Sequence, residues 1–521
     1  MGGLRRATAA TVAGLATALA VTALAAPVAS AQDTQDGPIV GTPPIEDAVP
    51  GWAQTWLTPD YWVDYMSDVL EDAHVNLPYP LDPVKPEAYL PNVPVPADDA
   101  YVSALPVAPV DLGDFTYEFD GEVKTIDQFV TTTQTDVVVF VQDGTVVGEW
   151  YANGYAPDVS HQPWSVTKTF VAATVGIAHD QGLIDSLQDP IDAYIPELAG
   201  TAWEGVTIEN LLQMESGVHW DEGTPVLVVN TQVEQWVQLG LDLFSEGNLG
   251  QTRNAFLASL PNVYEQGTEF RYNSGNTQVL AWLTEVLYDA EYNEVLSELL
   301  WAPMGTQAPA VMTSDRVGDV VASHGLFGLP YDFARFGELL RNGGVTPEGH
   351  RILSTEWVDA MTTMTEVSGG AYGLQTWSAR GVADNAYTAS GFQGQKITVA
   401  PSSCFTGVRL SHALGGDIRE GDDPFDPDAY GFAVETYDPE WEALVRDVTA
   451  ALGGCAADGG TDGGTDAAPD PDPTDADPTD PTDDADVEDD GTSLPATGGG
   501  AALLAIAALT AAWFVRGRRG V

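Results

Sequence analysis

The hydrophobic pattern predicts regular secondary structure from about residue 137 onward, beginning with two short apolar runs separated by a turn sequence. Val137–Val141 and Val146–Tyr151 flank Asp143-Gly144, a dipeptide typical of tight turns, and together they predict a β-hairpin. The segment from Phe170 to Ala178 is apolar on nearly every face, which predicts a helix in the interior.

The rest of the pattern places helices in the middle of this region and strands near its end. From about residue 184 to 370 the chain is predicted to be mainly helical with many loops. Tyr372–Trp377, Lys396–Ala400 and Phe405–Leu410 predict strands, and Trp441–Leu452 predicts a closing helix. Strands at both ends with helices between them predict an α+β fold, in which one sheet is built from both termini and backed by a helical lobe.

The N-terminal segment has the layout of a secretory signal. Arg5 and Arg6 precede an apolar run from Ala9 to Ala26, and Ala29-Ser30-Ala31 forms an A-x-A cleavage site. A transmembrane anchor is the alternative, but the cleavage site favours a signal peptide over residues 1–31 and hence a secreted protein. The next segment, residues 32–112, is rich in Pro and aromatic residues and predicts an extension that wraps the main domain, residues 113–455.

The sequence of the C-terminal part predicts a spacer followed by a second apolar run. Residues 456–493 are almost only Asp, Thr, Pro, Gly and Ala, with fourteen acidic residues from Asp458 to Asp490, and this composition predicts a disordered linker. Leu494-Pro495-Ala496-Thr497-Gly498 follows, ahead of an apolar run from Ala501 to Val515 and an Arg-rich tail. That run is shorter than the ~20 residues that span a bilayer comfortably.

Taken together, residues 494–521 resemble the L-P-x-T-G sorting signal of Gram-positive surface proteins. In such proteins a sortase cuts between Thr and Gly and joins the Thr carbonyl to peptidoglycan. The resemblance implies a cut between Thr497 and Gly498, sortase and peptidoglycan as covalent partners, and a protein anchored to the Gram-positive cell wall.

Composition narrows the classes of function. The chain has 19 Lys plus Arg against 77 Asp plus Glu, a formal net charge of −58, which argues against nucleic-acid binding by counterion release. We ascribe the acidity to solubility or adaptation to salt. Cys404 and Cys455 are an even count in a secreted chain, which predicts a disulfide, with two free buried thiols as the alternative.

The candidate nucleophile is Ser165, at the start of the predicted buried helix. The sequence has no G-x-S-x-G or H-E-x-x-H motif. In Ser165-Val166-Thr167-Lys168 the spacing of three puts both polar side chains on one helix face. Burial disfavours the charged form of a lysine, so Lys168 could take the proton of Ser165 as it attacks a carbonyl. The alternative is an N-cap serine followed by a surface lysine.

Five segments in order resemble the S-x-x-K serine hydrolases, which comprise β-lactamases, penicillin-binding D-Ala-D-Ala peptidases and their esterase and amidase relatives. The segments are Trp164–Lys168, Thr207–Gly217, Phe270–Asn276, Pro303–Gly305 and Asp332–Gly337. The resemblance covers about residues 115 to 452. It implies a β-lactamase/transpeptidase-like fold, with a mostly antiparallel sheet flanked by helices and a helical lobe, and a site at their junction.

The same resemblance assigns roles to Tyr272 and Ser274. Tyr272 matches the family's motif tyrosine, whose phenol relays a proton to the leaving group, whereas a buried core tyrosine is the alternative. Ser274 stands where β-lactamases of this type usually have Asn. This Y-x-S form resembles the 6-aminohexanoate-oligomer hydrolase branch and places Ser274 in the substrate site.

The third family motif, normally Lys-Thr-Gly or His-x-Gly on an edge strand, is matched by Phe392-Gln393-Gly394. The resemblance implies an oxyanion hole made by the N–H groups of Ser165 and Gln395, each such donor being worth ~3 kcal/mol. Gly394 fits close approach of the backbone to a ligand. The Lys or His that grips the carboxylate of a β-lactam is missing, and Phe392 offers apolar contact instead.

These residues favour a serine hydrolase that cleaves esters or small linear amides and needs no metal or other cofactor. A peptidoglycan D,D-peptidase or β-lactamase is the alternative, which the predicted wall location supports and the third motif opposes. A non-catalytic binding protein on the same fold is a second alternative, and the presence of Ser165, Lys168 and Tyr272 argues against it.

Overall fold

A computed structural model describes residues 92–220, 253–314, 319–411 and 434–455. Its strands are β1 Asn92–Val95, β2 Thr116–Phe119, β3 Glu122–Thr125, β4 Thr135–Gln142, β5 Thr145–Tyr151, β6 Ala310–Thr313, β7 Leu326–Phe327, β8 Trp377–Ser378, β9 Tyr387–Gly391, β10 Gln395–Ala400 and β11 Phe405–Ser411. Its helices are α1 Ile126–Thr132, α2 Thr167–Asp180, α3 Ile208–Leu212, α4 Arg253–Ala258, α5 Ser274–Tyr288, α6 Tyr292–Leu296, α7 Pro330–Arg341, α8 Thr355–Thr362 and α9 Val434–Leu452. The predicted signal peptide, linker and sorting signal lie outside the described residues.

A six-stranded antiparallel sheet organises the domain, in the order β5–β4–β11–β10–β9–β8. The hairpin predicted around Asp143-Gly144 forms one edge as β4 and β5, and the chain returns to the sheet with its last four strands. Both ends of the domain therefore build one sheet, with helices between them in sequence. The predicted α+β, β-lactamase-like fold is confirmed.

The sheet is covered on both faces, which explains the unbroken apolar run in β4. Val137 and Val139 belong to a core cluster with residues of α2 and α7, whereas Val138 and Phe140 belong to a second cluster with Trp441 of α9. Successive strand residues point to opposite faces, so a strand buried on both sides needs apolar residues throughout. We call the face covered by α2 and α7 the site face, and the face covered by α9 the closing face.

Helix α2 is the interior helix that its apolar sequence predicts. Every residue from Thr167 to Ala178 is buried. Phe170 stacks on Phe336 of α7 with 3.8 Å between ring centroids. On another side the indole of Trp357 packs so closely that a Cβ added at Gly176 would lie 2.1 Å from its Nε1. Packing from several sides fixes the helix and therefore the side chains in its first turn.

Residues 92–112, the described part of the predicted extension, pack on the domain. Strand β1 pairs antiparallel with β6, and the guanidinium Nε of Arg335 donates to the Ser103 carbonyl at 3.1 Å. The carboxylate of Glu348 accepts hydrogen bonds from the Tyr101 hydroxyl at 2.8 Å and the Ala104 N–H at 2.7 Å. These contacts join the segment to the region of α7 and the loop that follows it.

The last helix is tied to the sheet by a covalent bond. Cys404, in the turn between β10 and β11, forms a disulfide with Cys455, three residues after α9 ends. The amide of Gln142 donates to the carbonyls of Ser403 and Gly454 on both sides of this bond. None of the helices within the described ranges is long and apolar enough to cross a membrane.

One predicted strand is wrong. The sequence predicts a strand over Tyr372–Trp377, but only Trp377–Ser378 form one, β8. Gln375 has φ 54°, in the left-handed region, and such a residue interrupts a strand. Its buried side chain instead donates to the carbonyls of Leu211 and Leu212 at the end of α3.

Candidate active site

Ser165 and Lys168 are in hydrogen-bond contact at the start of α2. Ser165 lies in a 3-10 turn, Trp164–Val166, that leads directly into the helix. The ammonium Nζ of Lys168 lies 2.9 Å from the Ser165 Oγ and 3.0 Å from the Ser323 carbonyl oxygen. Lys168 is 1% exposed, whereas Ser165 is partly exposed. The pair therefore combines a reachable hydroxyl with a buried amine.

Tyr272 forms a second side of the site. Lys168 Nζ lies 5.0 Å from the centroid of its ring. The tyrosine immediately precedes Asn273, which caps α5 by accepting a hydrogen bond from the Asn276 N–H at 3.2 Å. The Tyr272 ring also packs against Trp377, with 5.4 Å between centroids. The helix cap and the aromatic contact fix where this phenol stands.

The third side is formed by the turn between β9 and β10. The sequence predicts Phe392-Gln393-Gly394 on an edge strand, but these residues form a 3-10 turn. Gln393 and Gly394 have φ angles of 65° and 85°, which a strand cannot contain. The predicted edge strand over these residues is therefore wrong, because the strand at this position, β9, ends at Gly391.

Gly391, at the end of β9, lies close to the backbone of the nucleophile. A Cβ added there would lie 2.2 Å from the Pro163 carbonyl oxygen and 3.1 Å from the Ser165 nitrogen. Gln395, the predicted oxyanion donor, faces Gly391 across the ladder as the first residue of β10. The backbone that approaches the Ser165 N–H is therefore the end of β9.

Three residues predicted for the substrate site are buried. Ser274 is 1% exposed in the first turn of α5, and Gln395 is fully buried. The Gln395 side chain accepts from the Ser411 N–H at 3.0 Å and donates to the Phe392 carbonyl at 3.1 Å. Gly394 is packed so closely against Arg409 that an added Cβ would lie 2.6 Å from its Nη1. Gly394 and Gln395 therefore belong to the packing of the turn, whereas Phe392 is partly exposed.

Ser323 and His324 also belong to the site, and no motif in the sequence identifies them. Ser323 contributes its carbonyl to Lys168, and its hydroxyl lies 2.9 Å from the Nδ1 of His324. The His324 ring stacks on Trp164 with 5.8 Å between centroids. Burial, followed by the positive charges of Lys168 and Arg253, lowers the pKa of His324 to about 3. The imidazole is therefore neutral near pH 7.

Aromatic side chains flank the reactive group on two sides. On one side Phe392 packs edge-on against Trp164, with 5.5 Å between centroids. On the other side Phe270, Tyr272 and Trp377 form a contiguous group. All five rings are partly exposed. The described residues contain no group of three or more His, Cys, Asp or Glu side chains that could hold a metal ion.

Comparison with known proteins places this geometry in a family. The β-lactamase family profile matches residues 123–430, which is more than half of the chain. The chain belongs to the β-lactamase family. Within that family it is 32% identical over 308 residues to the 6-aminohexanoate-dimer hydrolase of Paenarthrobacter ureafaciens, an alignment that covers 56% of this chain and 76% of the relative.

A solved structure agrees at the level of the fold. The putative 6-aminohexanoate-dimer hydrolase from Bacillus anthracis superposes with a TM-score of 0.62 at 22% identity, covering 76% of this chain and 96% of that one. The predicted membership of the β-lactamase superfamily and the likeness to the 6-aminohexanoate hydrolase branch are confirmed. So is the predicted enzyme class, an acyl-transfer serine hydrolase.

Proposed function

We propose that this β-lactamase-family protein hydrolyses esters or small linear amides through an acyl-enzyme on Ser165. The observation that carries the proposal is the contact of 2.9 Å between the buried Lys168 amine and the Ser165 hydroxyl. A neutral amine at that distance can accept the hydroxyl proton while the oxygen attacks a carbonyl carbon. The ester bond to Ser165 forms as the leaving group departs, and water then releases the acid.

The developing oxyanion needs two donors that are fixed before the reaction. The Ser165 N–H is one of them, because it opens the buried helix α2 and the helix dipole favours negative charge there. We assign the second to the N–H of Phe392 instead of the predicted Gln395. Phe392 directly follows Gly391, where an added Cβ would lie 3.1 Å from the Ser165 nitrogen, whereas Gln395 lies across the ladder in β10.

Tyr272 is the proposed proton relay to the leaving group. Its ring lies beside the Lys168 amine, so a proton taken from Ser165 can return through this network to a departing alkoxide or amine. Ser274, two residues later, is buried in the first turn of α5, the helix that follows Tyr272. The same groups serve both half-reactions, because deacylation reverses the proton transfers.

The substrate is proposed to be uncharged and apolar next to the scissile bond. Phe392 and Trp164 on one side of Ser165, and Tyr272 and Trp377 on the other, present partly exposed aromatic surface. The Lys or His of the usual third motif is absent from Phe392-Gln393-Gly394. Linear amides suit such apolar surroundings, and the relative named for the 6-aminohexanoate dimer supports this choice.

A fluorophosphonate probe tests the catalytic assignment. We expect the purified protein to be labelled and Ser165→Ala to lose labelling completely, because the only proposed attacking oxygen is removed. Intact-protein mass spectrometry measures the adduct. Persistent labelling of the folded variant would contradict the assignment, and no labelling of the wild type would favour a non-catalytic protein.

A substrate panel tests the substrate class. Short-chain p-nitrophenyl esters, linear amides, nitrocefin and fluorescent penicillin are compared on wild type and Ser165→Ala. Turnover of esters or linear amides with slow penicillin acylation is expected. Rapid penicillin acylation without ester turnover would instead favour a β-lactamase or D,D-peptidase.

The enzyme is proposed to work outside the cell, tethered to the wall after cleavage between Thr497 and Gly498. The supporting observations are the signal-like N-terminus, the L-P-A-T-G motif with its apolar run and the acidic spacer, all read from sequence. Cell-wall digests should contain protein that ends at Thr497. Full-length protein extracted by detergent alone would contradict the tether.

A further inference from the structure

The residue that precedes the nucleophile has a backbone conformation that side-chain-bearing residues rarely adopt. Trp164 has φ 49°, in the left-handed region. Such a conformation is unfavourable and persists only where the surrounding structure holds it. One restraint is the hydrogen bond of 2.9 Å from the Trp164 indole to the Gln393 side chain. We call residues 152–166, between β5 and α2, the Ser165 loop. The position of the Ser165 side chain therefore depends on contacts made by this loop.

A buried carboxylate and imidazole lie on the other side of this loop. His161, four residues before Ser165, has its Nε2 3.2 Å from the Oδ2 of Asp136 in β4, and both side chains are fully buried. The His161 Nδ1 faces the Gln162 carbonyl oxygen at 3.0 Å. The second oxygen of Asp136 accepts from the Asn153 amide at 2.7 Å. The loop is thereby attached to the central sheet.

The same loop is attached to the segment that positions Lys168. The backbone groups of His161 and Gly328 exchange two hydrogen bonds, of 2.9 and 3.2 Å. The Gln162 amide donates to the His324 carbonyl at 2.9 Å, one residue after the Ser323 carbonyl that accepts from Lys168. A shift of His161 would therefore move both the loop that carries Ser165 and the segment whose carbonyl accepts from Lys168.

We propose that Asp136 and His161 are positioning residues that hold the Ser165 loop in its reactive conformation. Neither touches the reacting atoms. The pair acts through the Ser165 loop. The bond from His161 to Asp136 holds the middle of the loop against β4, and the Trp164 indole holds the end of the loop that leads into α2. The inference rests on the proposed function, since its kinetic effect is read through acylation of Ser165.

The test compares variants that lose or keep the bond to Asp136. Asp136→Ala removes the acceptor, and His161→Asn shortens the side chain so that it can no longer reach. His161→Gln keeps a donor near the position of Nε2. We expect fluorophosphonate labelling at saturating probe to slow by about 100-fold in the first two variants, since small misplacements of a nucleophile cost this much. His161→Gln should stay within about tenfold of wild type, with the donor partly restored.

A purely structural pair would behave differently. Lys124→Met breaks another partly buried ion pair, between Lys124 and Glu440 at 3.0 Å, beyond the closing face. It should lower the melting temperature without slowing the labelling of folded protein. Equal labelling rates for Asp136→Ala and Lys124→Met, each corrected for folded fraction, would overturn the proposal, as would a His161→Gln variant as slow as His161→Asn.

A second measurement does not depend on catalysis. Hydrogen exchange of the peptide that spans residues 161–168 should be faster in folded Asp136→Ala than in wild type, while peptides of α9 remain unchanged. Unchanged exchange at residues 161–168 would overturn the positioning role even if the proposed function is correct. If the wild type is not labelled, the proposed function fails, and the exchange result alone decides the role of the pair.

Discussion

Two lysines near opposite faces of the sheet are used in opposite ways. Near the closing face, the ammonium of Lys124 pairs with the carboxylate of Glu440 at 3.0 Å, and the same oxygen accepts from the Tyr117 hydroxyl at 2.6 Å. On the site face, the amine of Lys168 contacts a hydroxyl and a backbone carbonyl. A carboxylate partner stabilises the charged form of an amine and keeps its proton in place. A hydroxyl partner offers a proton that the neutral amine can take.

The largest effect should therefore come from removing the lysine of the site face. Lys168→Met keeps much of the side-chain volume and deletes the base, so we expect the rate of fluorophosphonate labelling to fall by at least about 10³-fold, in the range that loss of a general base produces. Stopped labelling reactions resolved by mass spectrometry measure the rate. Circular dichroism shows whether the variant is folded.

Lys124→Met is the matched variant near the closing face. It should cost about 1–3 kcal/mol in the free energy of unfolding, because the Glu440 carboxylate keeps only part of its hydrogen bonding. Its labelling rate should equal that of wild type. If Lys168→Met is labelled as fast as Lys124→Met, Lys168 does not act as the base, and the proposed difference between the two lysines is wrong.

The sequence predicts one side of the site well because its information is local. Ser165 and Lys168 are three residues apart, and the helix that follows is apolar on all sides, so both the contact and the burial can be inferred from a single segment. Tyr272 requires the family motif as well, since it is more than one hundred residues away in the chain. The fold class follows from the order of strands and helices.

The other parts of the site depend on contacts between distant segments, which local patterns do not encode. Any residue could supply the backbone carbonyl that Ser323 offers to Lys168. The bond between His161 and Asp136 joins residues 25 positions apart through two strands. The resemblance to the family's third motif predicts an edge strand at Phe392-Gln393-Gly394, but it does not show that Gly391 is the glycine beside Pro163 and Ser165.

A smaller effect than loss of the base should follow from a single methyl group at that glycine. In Gly391→Ala the new Cβ would lie 2.2 Å from the Pro163 carbonyl oxygen and 3.1 Å from the Ser165 nitrogen. The Ser165 loop must then move away from the end of β9, which separates the two proposed oxyanion donors. We expect labelling to slow by about 10²-fold, the usual cost of losing one such donor.

Gly407→Ala is the corresponding change on the closing face. Its new Cβ would lie 3.1 Å from both the Phe405 and Trp441 side chains, away from the Ser165 loop. Overpacking there should lower the melting temperature and leave the labelling rate of the folded protein unchanged. If the two alanine variants slow labelling equally, the approach of β9 to Ser165 has no special role in forming the oxyanion site. If only Gly391→Ala slows it, then the end of β9, and with it the Phe392 N–H, belongs to the catalytic arrangement, whereas packing on the closing face serves stability alone.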